Sequence, residues 1–151
     1  MRFRAVAVFL SIIIGSFVPS ANFANAANPT PYKQWRHLMF EISLANFSII
    51  STNQLLRPAG FDWTSDGCSA PIVGNSGLTF DFSDACRRHD FGYRNLKKMP
   101  GRWTTRARAE VDYRFKKDLR DSCVQRIIWM RPTCMAWSET FYRAVRTFAG
   151  P

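Results

Sequence analysis

Apolar residues recur at helical spacing along most of the chain. From Tyr32 to about Leu56 they stand three or four positions apart, which predicts an amphipathic helix with this stripe in the core. The stripe consists of Trp35, Leu38, Met39 and Ile42, and it extends to Ala45 and Ile49 if the helix is unbroken. Residues 58–60 end this region. His37 lies off the stripe and is predicted to be exposed.

Three further helices are predicted downstream. The second begins after residue 83, has capping residues at 81 and 83, and stops at the Met-Pro-Gly segment 99–101. The third covers about 105–123. A break at 131–133 precedes the fourth helix, which begins at Cys134 and carries an amphipathic set of aromatic and aliphatic residues. The pattern therefore predicts an all-α domain.

Two of these helices place polar residues on faces that should be buried. In the second helix, Cys86, His89, Asp90 and Tyr93 share one face by their spacing. The third helix has an inner stripe of Arg108, Asp112, Phe115, Leu119 and Cys123. A buried carboxylate needs a partner. Asp112 is therefore expected either to pair with an arginine or to orient the ring of His89 from an antiparallel helix.

A Gly-rich segment, residues 60–84, separates the first and second helices and predicts a long irregular loop. Cys68 tethers this loop, and tethered long loops in small domains are usually functional. Asp90 points about 100° away from His89 on its helix, so a different partner is expected for it. Calcium binds carboxylate and backbone carbonyl oxygens together. Asp66 and Gly67 in the loop can supply both kinds of oxygen.

The first 26 residues have the anatomy of a secretory signal peptide. A basic head precedes the uncharged run AVAVFLSIIIGSFV and an A-x-A cleavage site that ends at Ala26. The run is shorter than the ~20 residues of a membrane-spanning helix, which argues against the alternative of an anchor. We therefore predict a secreted, extracellular protein with one domain at 27–151. Its four cysteines would form two disulfides, with three pairings possible, and their wide spacing argues against zinc.

The chain is strongly basic. Its formal charge is +10, or +8 once Arg2 and Arg4 leave with the signal peptide. Such a protein is attracted to anionic surfaces, and charge alone does not distinguish lipid headgroups from cell wall or nucleic acid. The same charge could serve solubility alone.

Two segments resemble the secreted phospholipase A2 family of bacteria and fungi. They are FDWTSDGCS at 61–69 and DACRRHDFGYRN at 84–95. The VDYRF segment at 111–115, the cysteines at 123 and 134 and the aromatic C-terminal helix are also similar to that family. The resemblance covers roughly residues 32–149, almost the whole predicted domain. It implies calcium-dependent hydrolysis of the sn-2 ester of glycerophospholipids, with release of a fatty acid and a lysophospholipid.

The resemblance also implies a role for each site residue. His89 would be the general base that activates water, and Asp112 would orient its ring. Ca²⁺ would be bound by the side chains of Asp66 and Asp90 and by the main-chain carbonyl of Gly67. The loop serines have no second base and are interpreted as turn residues.

The same resemblance implies a small helical domain with two antiparallel catalytic helices. It would be stapled by the disulfides Cys68–Cys86 and Cys123–Cys134. Its partner would be a phospholipid membrane or micelle interface, bound peripherally by a monomer, with no nucleic acid. One alternative is a non-enzymatic, cationic, membrane-active protein on this scaffold. Another is a nucleic-acid-binding protein or metal phosphohydrolase, which two histidines poorly support.

Four further residues have less specific interpretations. Tyr93 and Tyr113 are expected near the site by helix spacing and are interpreted as packing residues that could also bond a carboxylate. Arg87 and Arg88, between Cys86 and His89, are interpreted as part of a solvated or lipid-facing surface.

Overall fold

The computed structural model describes residues 30–68 and 80–148, and within them the chain is helical with no strand. Short turns of other helix types connect the main helices. The elements are α1 Pro31–Arg36, continued by a π-helical turn His37–Glu41; α2 Leu44–Thr52, followed by a 3₁₀ turn Gln54–Leu56; α3 Ser83–Lys98; α4 Thr105–Val124; and a 3₁₀ turn Ile128–Met130, which leads into α5 Arg131–Phe148. The all-α prediction is confirmed.

The single N-terminal helix predicted over 32–56 is wrong, because the chain breaks before α2. The hydroxyl of Ser43 accepts a hydrogen bond from the Asn46 backbone N–H at 3.1 Å and caps a new helix. The break shifts the helical register, so Ala45 and Ile49 are exposed while Phe47 is buried. The stripe upstream of the break, from Trp35 to Met39, is buried as predicted.

The start of α5 also differs from the prediction. The Arg-Pro-Thr segment at 131–133 was expected to be a break, yet the helix begins at Arg131. Proline is tolerated in the first turn of a helix because its missing N–H would have no intrahelical partner there.

Helices α3 and α4 are antiparallel neighbours, and they are packed closely at Gly92. A β-carbon at Gly92 would lie 2.8 Å from side-chain atoms of both Met39 and Val111. Any larger residue would therefore require the side chains of Met39 and Val111 to shift. This close approach brings the polar faces of α3 and α4 against each other.

Two disulfides and two buried clusters hold the helices together. The disulfides pair Cys68 with Cys86 and Cys123 with Cys134, as the family resemblance implied. One cluster consists mainly of Phe80, Phe82, Ala85, Cys86, Phe115, Leu119, Cys123, Cys134 and Phe141. The other consists of Trp35, Leu38, Met39, Phe47, Phe91, Tyr93, Leu96 and Val111.

The predicted signal peptide, residues 1–26, lies outside the described residues, as does most of the loop that follows Cys68. Within the described part of the chain, no helix has the length and apolar character needed to cross a membrane.

Candidate active site

The polar faces of α3 and α4 meet in a buried histidine–aspartate pair. The Nε2 atom of His89 lies 2.9 Å from Oδ1 of Asp112. His89 is 7% exposed and Asp112 is fully buried. Because a carboxylate only accepts, Nε2 carries the proton and Nδ1 is the ring's acceptor. No hydrogen bond to Nδ1 is found within 30–68 and 80–148.

Asp112 accepts further hydrogen bonds from two helices, and a second arginine lies close by. The hydroxyl of Tyr93 on α3 donates to Oδ1, and Nη1 of Arg146 on α5 donates to Oδ2 at 2.7 Å. Nε of Arg108, one turn earlier on α4, lies 3.7 Å from Oδ2 and donates to the Tyr93 hydroxyl at 3.2 Å. Both alternatives for Asp112, an arginine partner and a histidine partner, are therefore realised together.

These contacts determine the ionisation of Asp112 and of Tyr93 beside it. Burial opposes ionisation of Asp112, yet hydrogen bonds from His89, Tyr93 and Arg146 outweigh it and hold the pKa of Asp112 below its usual value. Burial, together with the bond to Asp112, raises the pKa of the Tyr93 phenol. Asp112 is thus an anion that fixes the His89 ring, which lies between Tyr93 and Phe115 with ring centroids 4.3 and 4.7 Å away.

The loop before α3 folds onto the carboxylate of Asp90. Its Oδ2 atom accepts hydrogen bonds from the Ser65 hydroxyl at 2.6 Å and from the backbone N–H groups of Asp66 and Gly67, each at 3.1 Å. Gly67 has a φ of 75°, a left-handed conformation that other residues adopt with strain. The Cys68–Cys86 disulfide holds this loop one turn before His89. The structure therefore brings the predicted ligand residues together.

Two carboxylates, those of Asp90 and Asp66, belong to this second site. Burial and the neighbouring charge of Asp66 raise the pKa of Asp90, whose three hydrogen-bond donors are all neutral. The other carboxylate, Asp66, is bound by Nη2 of Arg94 at 2.7 Å. No group of three His, Cys, Asp or Glu side chains is arranged for metal binding in the described ranges. A cation here would need backbone carbonyls and water besides the two carboxylates.

The solvated or lipid-facing interpretation of Arg88 is wrong. Its guanidinium is fully buried, donates to both carboxylate oxygens of Asp118 on α4, and donates to the Ile42 carbonyl at 3.0 Å. Asp118 lies six positions after Asp112, between the inner-stripe residues Phe115 and Leu119. This position next to buried residues was the sequence signal for the ion pair with Arg88, because a buried carboxylate requires a partner.

Tyr93 and Tyr113 lie in different environments. Tyr93 is buried and bonds Asp112, whereas Tyr113 is 68% exposed on the outer side of α4 and is not part of the site. Arg87 is only partly buried and pairs with Asp84 at 2.7 Å on the same helix.

Comparison with known proteins identifies the family of this chain. Residues 36–149 match the family described as prokaryotic phospholipase A2. A protein named secretory phospholipase A2 from Arthroderma benhamiae is 36% identical over 112 residues, which is 72% of each chain. A protein of the same name from Beauveria bassiana is 35% identical over 94 residues, which is 62% of this chain and 47% of the relative. The chain belongs to the prokaryotic phospholipase A2 family, a family of phospholipid-hydrolysing enzymes.

Proposed function

We propose that this protein hydrolyses the sn-2 ester of glycerophospholipids, with His89 as general base. The observation that carries the proposal is the buried bond from Nε2 to Asp112, which leaves Nδ1 as the proton acceptor. Nδ1 takes a proton from water, and the water oxygen attacks the ester carbonyl. The protonated ring then delivers the proton to the departing alkoxide. The ester C–O bond breaks, and a fatty acid and a lysophospholipid are released.

Asp112 supports this proton transfer without touching the substrate. The carboxylate keeps the ring in one tautomer and stabilises the imidazolium that forms when His89 is protonated. Tyr93 and Arg146 occupy the remaining carboxylate positions, so Asp112 stays fixed and ionised during the reaction.

We also propose that calcium binds beside His89, at Asp90, Asp66 and the backbone carbonyl of Gly67. The residues fit a hard cation because Asp90 is a partly buried carboxylate with neutral donors and a second carboxylate nearby. Bound calcium would polarise the ester carbonyl and stabilise the oxyanion. The positive φ at Gly67 supports this placement, since it keeps the loop backbone turned toward Asp90.

Phospholipid labelled at the sn-2 acyl chain tests this function. Purified protein should release labelled fatty acid in calcium and lose that activity in a chelator. His89→Gln should reduce the rate by several orders of magnitude while the thermal unfolding midpoint stays near that of the unmutated protein. Chelator-insensitive hydrolysis would remove calcium from the mechanism, and full activity in His89→Gln would remove the general base.

Calcium binding is measured separately by titration calorimetry. Asp90→Asn should abolish the binding heat, because it removes one of the two proposed carboxylate ligands. Asp62→Asn is the matched control: Asp62 lies in the same loop but pairs with Lys98 at 2.7 Å and is not a proposed ligand. Unchanged affinity in Asp90→Asn would exclude Asp90 from the ligand set.

We propose further that the enzyme is secreted after cleavage behind Ala26. The anatomy of residues 1–26 supports this, and the two relatives above are named secretory. N-terminal sequencing of protein exported by an expression host should begin at residue 27. Retention of the apolar run in the mature protein would contradict the proposal.

A further inference from the structure

The connection between α4 and α5 is a short loop closed by a disulfide. Residues 124–133, VQRIIWMRPT, lie between Cys123 and Cys134, and we refer to them as the α4–α5 corner. The corner contains two arginines and no acidic residue. Nothing in the catalytic proposal uses it.

The corner exposes large apolar side chains. Ile128 and Trp129 are 71% and 74% exposed, and Val124 and Ile127 are each about half exposed. Scattered exposed apolar residues are common on proteins, but a contiguous group usually marks an interaction surface. Four such residues within six positions on one tight turn form a contiguous group.

Three arginines without a carboxylate in contact lie at or beside this apolar tip. In the described part of the chain, most arginines have a carboxylate within 4 Å, including Arg88, Arg94 and Arg146. Arg126 and Arg131 in the corner, and Arg120 one turn before it on α4, have none within 4 Å there. Arg126 lies over the Phe80 ring and interacts electrostatically with Asp81, and Nε of Arg131 donates to the Arg126 carbonyl at 2.9 Å. Without a carboxylate in contact, these charges remain available to an anionic partner. Apolar side chains flanked by cations suit a partner with a negatively charged outer layer and an apolar interior.

The corner is firmly attached to the catalytic core. Cys123 and Cys134 are fully buried in the same cluster as Cys86 and Phe115. The ring of Phe115 in turn contacts His89, with centroids 4.7 Å apart. The exposed tip is thus held in place by a disulfide and by the buried cluster beneath it. Binding a partner therefore requires little further ordering of this loop.

We propose that the α4–α5 corner is a docking surface for anionic phospholipid, with Trp129 and Ile128 inserting at headgroup level and Arg120, Arg126 and Arg131 contacting phosphates. The inference rests on the proposed function, because a phospholipid surface is where that substrate is presented. A second copy of the chain fits the corner less well, since two unpaired arginine clusters would face each other. Nucleic acid would satisfy the arginines but leave the apolar tip without a partner.

Vesicle sedimentation in chelator, with the full mature chain carrying His89→Gln to prevent hydrolysis, tests the proposal. Phosphatidylglycerol vesicles should bind the protein, and phosphatidylcholine vesicles should bind it much more weakly. Ile128→Ser with Trp129→Ser should weaken phosphatidylglycerol binding roughly tenfold or more. Arg120→Gln and Arg131→Gln should each weaken it about fivefold.

Two matched controls separate the corner from general surface effects. Leu55→Ser removes an apolar residue that is 94% exposed on a different turn. Arg106→Gln removes an exposed charge that pairs with Glu110. Neither should change vesicle binding. With His89 restored, the Ile128→Ser/Trp129→Ser variant should hydrolyse dispersed short-chain phospholipid at the unmutated rate, which shows that its site is intact.

The possible failures are distinguishable. If the unmutated protein hydrolyses phospholipid but the corner variants bind vesicles undiminished, the docking surface is refuted and the proposed function stands. If the unmutated protein hydrolyses no phospholipid, the proposed function itself fails. A dimer that dissociates on Ile128→Ser/Trp129→Ser, or oligonucleotide binding lost in Arg120→Gln without any vesicle binding, would overturn the lipid assignment.

Discussion

Replacing Asp118 with asparagine should strongly destabilise this fold. Asp118 and Arg88 are each 1% exposed, and the guanidinium donates to both carboxylate oxygens, at 2.9 and 2.6 Å. Nε of Arg114 lies 3.1 Å from the same carboxylate. Asp118→Asn therefore leaves two poorly hydrated guanidinium groups facing a neutral amide. Neither cation can be neutralised by losing its proton at ordinary pH.

The structure indicates the size of the effect. Removing one partner of a buried ion pair costs about 3–5 kcal/mol, because the remaining charge stays desolvated. Domains of this size are stable by about 5–15 kcal/mol, so the loss is a large part of the total. At roughly 3–5 °C per kcal/mol for a domain of this length, the unfolding midpoint should fall by about 10–20 °C.

Urea and thermal unfolding followed by far-ultraviolet circular dichroism measure this loss. Asp121→Asn is the matched control, since Asp121 is on the same helix and pairs with Lys117 at 2.6 Å, but both side chains are more than half exposed. The control should lose no more than about 0.5 kcal/mol. The double change Arg88→Met with Asp118→Leu should recover only part of the stability, because Arg114 still loses its carboxylate partner. Equal free energies of unfolding for Asp118→Asn and Asp121→Asn would refute the reasoning.

Three other perturbations have defined outcomes. Arg94→Gln removes the cation that competes for a proposed metal-ligand carboxylate, so calorimetry should show calcium binding tightened several-fold, and weaker binding would contradict this competition. Arg146→Gln should lower the free energy of unfolding at pH 7 by about 1 kcal/mol, allowing for its partial exposure. The native pKa of Asp112 is lowered, so that contribution exists above the unfolded pKa of about 3.9 and disappears as the pH falls through the native value. Urea unfolding at a series of decreasing pH values should show the full deficit at pH 7 and a shrinking deficit as the pH falls below the unfolded pKa. Replacing Cys123 and Cys134 by alanine should cost about 2–4 kcal/mol in urea, given the short loop they close, and a loss under 1 kcal/mol would indicate a loop ordered without the disulfide.

Local spacing predicted those features whose partners lie within one helix. Cys86, His89 and Tyr93 are three or four residues apart, so their common face on α3 follows from helix geometry. The inner stripe of α4, which contains Asp112, follows for the same reason. Spacing failed at Ile42–Ser43, where the chain breaks and exposes Ile49. The periodic pattern of apolar residues continues across this break, so it does not show where one helix ends and the next begins.

The buried ion pair between Arg88 and Asp118 shows a second limit of reasoning from local sequence. Arg88 is one residue before His89 on a basic chain, and its sequence context resembles that of a solvated arginine. Its burial depends on Asp118, thirty residues later, and on the Ile42 carbonyl, forty-six residues earlier. Likewise, the bond from Arg146 to Asp112 exists only because α5 is packed across α4.

The sequence by itself determined the helical class and the shared face of α3, and it indicated the residues that we propose as base, orienting carboxylate and cation ligands. These depend on residue chemistry and on spacing within single elements. Only the tertiary structure decided which carboxylate meets which cation. Asp112 meets Arg146 and Asp118 meets Arg88, whereas the corner arginines have no carboxylate within 4 Å in the described part of the chain. From the sequence alone, any arginine could be the partner of any aspartate. Their pairing is decided by distance and burial, which exist only once the helices are packed.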